Sequence, residues 1–375
     1  MLKGTMCARV TCSVVLALML VPAAAAQHYN RIDLTTNSSA VSPTAPNIDT
    51  HLVNAWGLAR GTGTFWWVSD NGTGVSTLYD PAGVPQSLVV TIPPPPGQSG
   101  PSAPTGTAFN FTASFQTPAF ELAPGKPAIF LFVTEDGTIS GWNPGVDATT
   151  AVIKVNNAGK ANYKGCAIAV TPAGPRLYVT NFETRQVEVY DGNFNPVSTP
   201  GGFHFGGPQS AQGLQLVPFN LWNVGGNLVV TFAYKEAGEE DEAHGAGLGQ
   251  VGVFNVFGRQ LLRLEHGDWL NAPWGVALSP SDFGAFPHRL LIGQFGDGTI
   301  QVFNTLTGKH EGALLQSDNN NPIVIDGLWA ISFAGDSDHN GLATQLYFTA
   351  GPNDENDGLF GKITAVGAET RGNTE

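Results

Sequence analysis

The stretch WGVA at residues 274–277 decides the fold, together with LLIGQ at 290–294 and IQVFN at 300–304. The first segment is short and apolar around Gly275, the second is largely aliphatic, and the third alternates before it ends in an aromatic residue and Asn304. Short segments of this kind, separated by polar turns, are typical of neighbouring antiparallel strands. A glycine in the first strand also allows another backbone to approach closely.

This unit recurs along the chain, and its spacing indicates the architecture. The leading glycines of the six copies are Gly57, Gly106, Gly165, Gly213, Gly275 and Gly327. They are 49, 59, 48, 62 and 52 residues apart, which fits one strand unit with insertions in its loops. A unit of about fifty residues is typical of one four-stranded propeller blade. We therefore predict an all-β, six-bladed β-propeller; a β-sandwich is the structural alternative, but it does not explain six copies in phase.

The sixth copy lacks its fourth strand, because only a short polar stretch follows Ile363. The segment YNRIDL at residues 29–34 alternates polar and apolar side chains as a strand does. We predict that it pairs with the last blade and closes the ring, which removes exposed sheet edges.

The first residues have the composition of an export signal. Lys3 and Arg9 make the start basic, residues 10–21 are apolar but too few to span a bilayer, and the small residues Ala24, Ala25 and Ala26 precede Gln27. We expect a periplasmic or extracellular protein without a membrane anchor, since no second long apolar segment follows. The expected segments are a signal peptide at 1–26, one propeller domain at 27–366 and a polar tail at 367–375.

The charge of the chain restricts its partners. The formal net charge is −13, and removal of Lys3 and Arg9 with the signal makes it −15. Such an acidic protein repels phosphate backbones and anionic lipid surfaces, so we expect no nucleic-acid partner. The charge favours neutral molecules, cations and basic protein surfaces, and we expect a monomer. Cys166 is the one cysteine that remains after the signal, and we predict that it is a buried core residue.

Several phrases of the sequence resemble known propellers. The Gly-apolar start and aromatic-Asp finish of each unit are similar to NHL-repeat propellers. Five segments resemble a group of exported, mainly bacterial proteins of unknown activity. They are NAWGL at 54–58, NAPWG at 271–275, GQFGDG at 293–298, DGLW at 326–329 and GPNDE at 351–355. The resemblance implies the fold but no chemistry. Some members carry a Pro-Glu-Pro sorting segment that this sequence lacks, which favours release.

Propeller ligands bind near the axis, where loops from all blades meet. The residue before each leading glycine is predicted to lie there, which gives Trp56, Thr105, Lys164, Gln212, Trp274 and Asp326. Two interpretations of this mixed ring are open. In the first, Trp56, Lys164, Gln212, Trp274 and Asp326 contact a small polar or aromatic ligand. In the second, the tryptophans plug the channel and Lys164 pairs with Asp326.

The ends of the second strands form another predicted ring: Asp70, Glu135, Asn181, Tyr234, Gln294 and Gly351. An analogy with six-bladed lactonases, which hold calcium at the axis, implies that Asp70, Glu135 and Asn181 are metal ligands. Calcium prefers several oxygen ligands, which these side chains supply. The remaining members of the ring fit this role poorly.

A second candidate calcium site is DSDHNG at residues 336–341. Asp336, Asp338 and Asn340 stand at alternate positions before a glycine, as in the first half of a calcium-binding loop. The twelfth position is Tyr347 where an EF-hand has Glu. A structural calcium ion and a solvated turn are both open interpretations.

The run EAGEEDEAH at residues 236–244 is an insertion in blade four. It is interpreted either as a mobile, solvated loop or as a cation-responsive lid over the axial face. Asp354, Glu355 and Asp357 form a second acidic loop, in blade six.

No Gly-x-Ser-x-Gly elbow and no His-Glu-x-x-His motif occurs in the sequence. The leading hypothesis is an exported binding or scaffold protein with an axial site for a small ligand or a partner surface. The alternative is a calcium-dependent hydrolase of the lactonase or esterase kind, in which the metal polarises a carbonyl.

Overall fold

In a computed structural model, which describes residues 28–367, the chain is all-β apart from one turn of 3-10 helix at Phe111–Ser114. The predicted signal peptide and residues 368–375 of the predicted tail lie outside the described residues. No helix in this part of the chain is long and apolar enough to cross a membrane.

The strands form radial sheets, one sheet to a blade. The N-terminal segment and blade one contain β1 (His28–Thr36), β2 (Asn47–Ile48), β3 (Ala55–Ala59), β4 (Trp66–Asp70), β5 (Val75–Tyr79) and β6 (Val90–Thr91). Blade two and its side ribbon contain β7 (Pro104–Phe109), β8 (Glu121–Ala123), β9 (Lys126–Pro127), β10 (Phe130–Thr134), β11 (Thr138–Trp142) and β12 (Val152–Asn156). Blade three contains β13 (Tyr163–Thr171), β14 (Gly174–Asn181) and β15 (Gln186–Asp191).

The second half of the ring continues this arrangement. Blade four contains β16 (Ser210–Ala211), β17 (Leu214–Val224), β18 (Asn227–Lys235), β19 (Gln250–Phe254) and β20 (Gln260–Arg263). Blade five contains β21 (Pro273–Leu278), β22 (Arg289–Gln294), β23 (Ile300–Asn304) and β24 (His310–Ala313). Blade six contains β25 (Leu315–Gln316), β26 (Leu328–Phe333), β27 (Leu346–Ala350) and β28 (Leu359–Ala365). The prediction of a six-bladed propeller is confirmed.

The N-terminal strand closes the ring as predicted. β1 pairs antiparallel with β28, from Tyr29 opposite Ala365 to Thr36 opposite Leu359. Tyr29 is buried, and its hydroxyl donates to the carbonyl of Phe283 in blade five at 3.2 Å. The first strand of the described chain is therefore joined to its last two blades.

Neighbouring blades pack through apolar and aromatic side chains. Trp67 of blade one stacks on Phe130 of blade two with ring centroids 4.2 Å apart. The innermost strands come so close that a Cβ atom on Gly57 would lie 2.4 Å from the carbonyl oxygen of Thr105. The leading glycine is therefore required by contact between blades at this position.

Blades four and six do not have a glycine at this inner position. Asn220 and Ala330 occupy this position. Each donates its backbone N–H to a threonine hydroxyl of the second strand, at 3.0 Å to Thr231 and 3.1 Å to Thr349, and these hydrogen bonds identify the position. Their larger side chains are accommodated partly by the neighbouring blade, since Gly165 faces Asn220. Phe219 and Trp329 are consequently the axial residues of these two blades.

The prediction that Gln212 and Asp326 lie at the axis is wrong. Gln212 is exposed in the turn between β16 and β17, where it has a φ of 53°. Asp326 is exposed as well, and its carboxylate accepts a hydrogen bond from the backbone N–H of Asn353 at 3.0 Å. Gly213 and Gly327 are turn glycines with positive φ, at 86° and 62°, and not the leading glycines of these blades.

Candidate axial binding site

An aromatic cluster fills the propeller axis. Trp56, Phe219, Trp274 and Trp329 are buried together, one from each of four blades. Trp56 stacks on Trp329 with ring centroids 3.5 Å apart, and Trp274 meets these two rings edge-on at 5.9 and 5.8 Å. The structure thus places the predicted residues Trp56 and Trp274 at the axis, as a plug. We call these four side chains the aromatic floor.

The indole groups of the aromatic floor differ in their hydrogen bonds. Trp274 Nε1 donates to the backbone carbonyl of Lys164 at 3.2 Å, and Trp329 Nε1 donates to Asn54 Oδ1 at 2.9 Å. Trp56 Nε1 is buried and has no hydrogen-bond partner among the described residues. A buried donor without a partner costs about 1–3 kcal/mol. The floor therefore retains one donor that a bound molecule or a water molecule can satisfy.

Lys164 carries a positive charge directly above this floor. Its side chain is fully buried, and its Nζ lies 5.2 Å from the ring centroid of Trp56 and 5.3 Å from that of Phe182. It donates a hydrogen bond to the carboxylate of Glu135, so its partner is not Asp326. Burial opposes the charge of Lys164, but the carboxylates of Glu135 and Glu242 outweigh this effect and raise the pKa of the ammonium group.

The acidic insertion at residues 236–244 folds back toward the axis. Asp241 Oδ1 lies 3.6 Å from Lys164 Nζ while 86% of its side chain remains exposed, whereas only 4% of the Glu242 side chain is exposed. His244 lies 3.3 Å from Glu242 Oε1 and meets the ring of Phe295 edge-on at 5.0 Å. The hydrogen bond to Glu242 raises the pKa of His244 against the effect of burial. We call this segment the acidic cover.

Glu355 approaches the same place from blade six. Its Oε2 accepts a hydrogen bond from Asn54 Nδ2 at 2.5 Å, and Asn54 also donates to Asn71 Oδ1 at 3.3 Å. Asn71 in turn donates to Glu135 Oε2 at 2.9 Å, which connects Glu355 to the carboxylate beside Lys164. Burial raises the pKa of Glu355 to about 7, against the hydrogen bond from Asn54 and with the help of Glu242 and Glu135.

The backbone that presents Glu355 is strained. Asn353, Asp354 and Glu355 have φ values of 59°, 50° and 64°, so three consecutive non-glycine residues are in the left-handed region. Such residues cost of order 1 kcal/mol or more each and concentrate at functional sites. The strain adds to the reasons for regarding Glu355 as part of a site.

The axial face is therefore a charged, half-covered depression above an aromatic floor. Two ammonium groups face it, since Lys235 Nζ lies over the same Phe182 ring as Lys164, at 4.9 Å. The carboxylates that meet there are those of Glu135, Asp241, Glu242 and Glu355. Even with Glu355 partly protonated at neutral pH, these carboxylates outweigh the two ammonium groups, and the excess of negative charge attracts a cation. Glu135 and the two acidic segments are recognisable in the sequence, but no sequence pattern brings them together.

The predicted axial calcium ligands have separate hydrogen-bond partners. Asp70 lies inside blade one, where one carboxylate oxygen accepts hydrogen bonds from the backbone and the hydroxyl of Thr77 at 3.1 and 2.8 Å. Burial raises the pKa of Asp70 well above its usual range, against the hydrogen bonds from Thr77. Asn181 uses its amide within blade three, donating to Glu188 at 2.6 Å. Glu135 is the member of the set that pairs with Lys164, and Asp70 Oδ1 is buried without a hydrogen-bond partner among the described residues, so a calcium ion on this set stays a prediction.

The loop at residues 336–341 is held by its own hydrogen bonds. Asn340 is buried, and its Oδ1 accepts from the backbone N–H of Gly335 at 2.7 Å while its Nδ2 donates to the carbonyl of Thr64 at 3.0 Å. Asp336 accepts from the backbone N–H of Ala343 at 2.6 Å, and Asp338 is exposed. The oxygens of Asp336, Asp338 and Asn340 thus do not form a ligand set. Within residues 28–367, no group of three or more His, Cys, Asp or Glu side chains is arranged to hold a metal ion.

Comparison with known proteins yields relatives and a fold. The chain is 31% identical over 325 residues to the uncharacterised protein R648 of Acanthamoeba polyphaga mimivirus, a match that covers 85% of this chain and 76% of that protein. It is also 31% identical over 328 residues to the uncharacterised protein L690 of the same virus, with 85% and 82% covered. A crystal structure of a glucose dehydrogenase superposes with a TM-score of 0.51 at 14% identity, over 83% of this chain and 96% of that one. No family model matches the sequence.

Proposed function

The chain belongs to the family of the mimivirus proteins R648 and L690, and we propose that it is an exported binding protein whose axial face takes a small organic cation. The observation that carries this proposal is the convergence of Glu135, Glu242 and Glu355, from three different blades, around the buried ammonium group of Lys164. Export is part of the proposal because of the signal-like sequence at residues 1–26.

The chemistry of the site favours an amine or a guanidinium group. Carboxylates form charge-assisted hydrogen bonds with such groups, and the rings of Phe182 and Phe295 border the site beside Lys164 and His244. The acidic cover places Asp241 largely in solvent, where it can meet an incoming cation first. Electrostatic attraction of this kind weakens as salt is added.

The test uses two probes that differ only in charge. We expect 1,4-diaminobutane to bind the purified protein in isothermal titration calorimetry and 1,4-butanediol not to bind. The Kd of the diamine should rise at least fivefold in Glu242→Gln and in Glu135→Gln, since each removes one carboxylate from the site. Glu236→Gln is the matched control, because Glu236 is an exposed residue of the same segment. Equal affinity for the diol, or unchanged affinity in both site variants, would refute the proposal.

A second candidate function is proton transfer to or from the bound molecule. It is favoured by Glu355, whose pKa of about 7 suits a general base or acid at neutral pH and which lies in the axial site. Glu355→Gln should then abolish turnover of a cationic substrate without abolishing its binding. The calcium-dependent hydrolase has no comparable observation in its favour.

A further inference from the structure

The opposite end of the innermost strands surrounds a cavity that the axial site does not use. The residues three positions after the axial ones in each blade are Ala59, Ala108, Ala167, Trp222, Ala277 and Ser332. They line a cavity of about 420 Å³ and an adjoining one of about 240 Å³. Volumes of a few hundred Å³ are typical of small-molecule sites. We call this place the alanine funnel.

Small side chains keep the funnel open, and aromatic side chains border it. Four of the six positions are alanine and one is serine, so five blades contribute little volume. Trp222, Phe109 and Phe111 also line the cavity, and Phe111 is 37% exposed. Aromatic rings of this kind pack well against a planar ligand.

Ser332 is an unpartnered polar group in this apolar lining. Its side chain is more than nine-tenths buried, with 8% exposed, and it lines both cavities. No described residue forms a hydrogen bond with its hydroxyl. The hydroxyl borders the cavity, where it can donate a hydrogen bond to a ligand that fills the funnel.

Arg60 is the one charged residue among the described residues that line the two cavities. Its Nε donates to the carbonyl of Phe333 and its Nη2 to that of Ala334, both at 2.8 Å. Nη1 forms no hydrogen bond within the described chain. Guanidinium groups stay charged in proteins, and although Asp336, which does not line the cavities, interacts with Arg60, the charge of Arg60 is the one that borders the funnel among the described lining residues.

We propose that the alanine funnel binds a small aromatic carboxylate. The ring of the ligand packs against Trp222 and the alanine walls, and its carboxylate meets Arg60 and the hydroxyl of Ser332. This site has the opposite charge from the axial face and lies at the other end of the same strands, so it is independent of the function proposed above.

Calorimetry with 2-naphthoate and its neutral analogue 2-naphthamide tests the charge requirement. We expect one equivalent of naphthoate to bind, and naphthamide to bind about tenfold more weakly, as for loss of a charged hydrogen bond. Arg60→Gln should weaken naphthoate binding about tenfold and naphthamide binding less than twofold. Arg259→Gln is the matched control, since Arg259 is exposed and does not line the funnel.

Two filling variants test the location without touching Arg60. Ala108→Leu and Ala277→Leu enter the funnel from different blades, and each should reduce naphthoate affinity at least tenfold. Thermal melting identifies a variant that fails to fold, and the other variant then supplies the test. The proposal is overturned if wild-type protein binds no naphthoate, if naphthamide binds equally well, or if a folded filling variant keeps the wild-type affinity.

Discussion

Lys164 of blade three is fully buried and donates a hydrogen bond to the carboxylate of Glu135 in blade two. The pair joins neighbouring blades beside the axis, and Asp241 of blade four lies 3.6 Å from the same ammonium group. A single side chain thus links three blades at the floor of the proposed binding site.

Replacement of Lys164 by an uncharged residue should destabilise the fold. We expect Lys164→Met to lower the free energy of unfolding by about 3 kcal/mol, because Glu135 and Glu242 are left without their buried counter-charge. Urea denaturation measures the difference. Lys160→Met is the control, since Lys160 is exposed, and it should change stability by less than about 0.5 kcal/mol. Similar stability of both variants would show that Lys164 does not hold the blades together.

Glu355 should make stability depend on pH. Its pKa is raised to about 7 in the folded protein, so its contribution is fully present below the unfolded value, about 4.5, and is lost as pH rises through 7. We expect Glu355→Gln to gain about 2 kcal/mol on wild type between pH 4.5 and 8, allowing for partial exposure. Urea denaturation at several pH values measures the gain. A parallel pH profile for the two proteins would contradict the assignment, and Glu236→Gln provides the control.

The stability of alanine variants tests which residues lie at the axis in blades four and six. Trp329→Ala should cost about 4 kcal/mol, because it removes a large side chain that is buried at 0% exposure. Asp326→Ala and Gln212→Ala should each stay within about 0.5 kcal/mol, since both side chains are exposed. Chemical denaturation of the three variants measures these losses. A larger loss for Asp326→Ala than for Trp329→Ala would indicate that Asp326, and not Trp329, is the buried axial residue of blade six.

The sequence predicts this fold well because contact between blades dictates residue type. At Gly57 an added Cβ would lie 2.4 Å from a carbonyl oxygen of the next blade, so the glycine marks the inner strand. Asn220 and Ala330 break that rule in blades four and six. The turn glycines Gly213 and Gly327 lie close by in the sequence and resemble leading glycines, so the repeat pattern does not identify the axial residues of these two blades.

The candidate site is less visible in the sequence than the fold. Glu135, Lys164, Glu242 and Glu355 are spread over 221 positions (355 minus 135, both ends counted), and no local pattern couples them. What brings them together is the closed ring and the return of a loop insertion toward the axis. A single sequence indicates that residues 236–244 are acidic, but not that Glu242 is buried beside Lys164.

Removal of metal ions tests directly whether calcium stabilises the protein. Asp70 and Asn181 form hydrogen bonds within their own blades, and Asp336 and Asn340 accept hydrogen bonds from the backbone of Ala343 and Gly335. We therefore expect dialysis against a calcium chelator to leave the Tm within about 1 °C of its starting value, as an absent site implies. A loss of several degrees that added calcium restores would show a stabilising ion and bring the calcium-dependent hydrolase back into consideration.

The most direct test of axial cation binding is hydrogen–deuterium exchange with and without saturating 1,4-diaminobutane. Peptides that cover residues 236–244 and 353–357 should gain protection, because the acidic cover and the Glu355 loop would close on the cation. Peptides on the outer strands, such as those covering β20 and β24, should not change. Protection confined to other regions, or no protection at a concentration that saturates binding, would contradict the account.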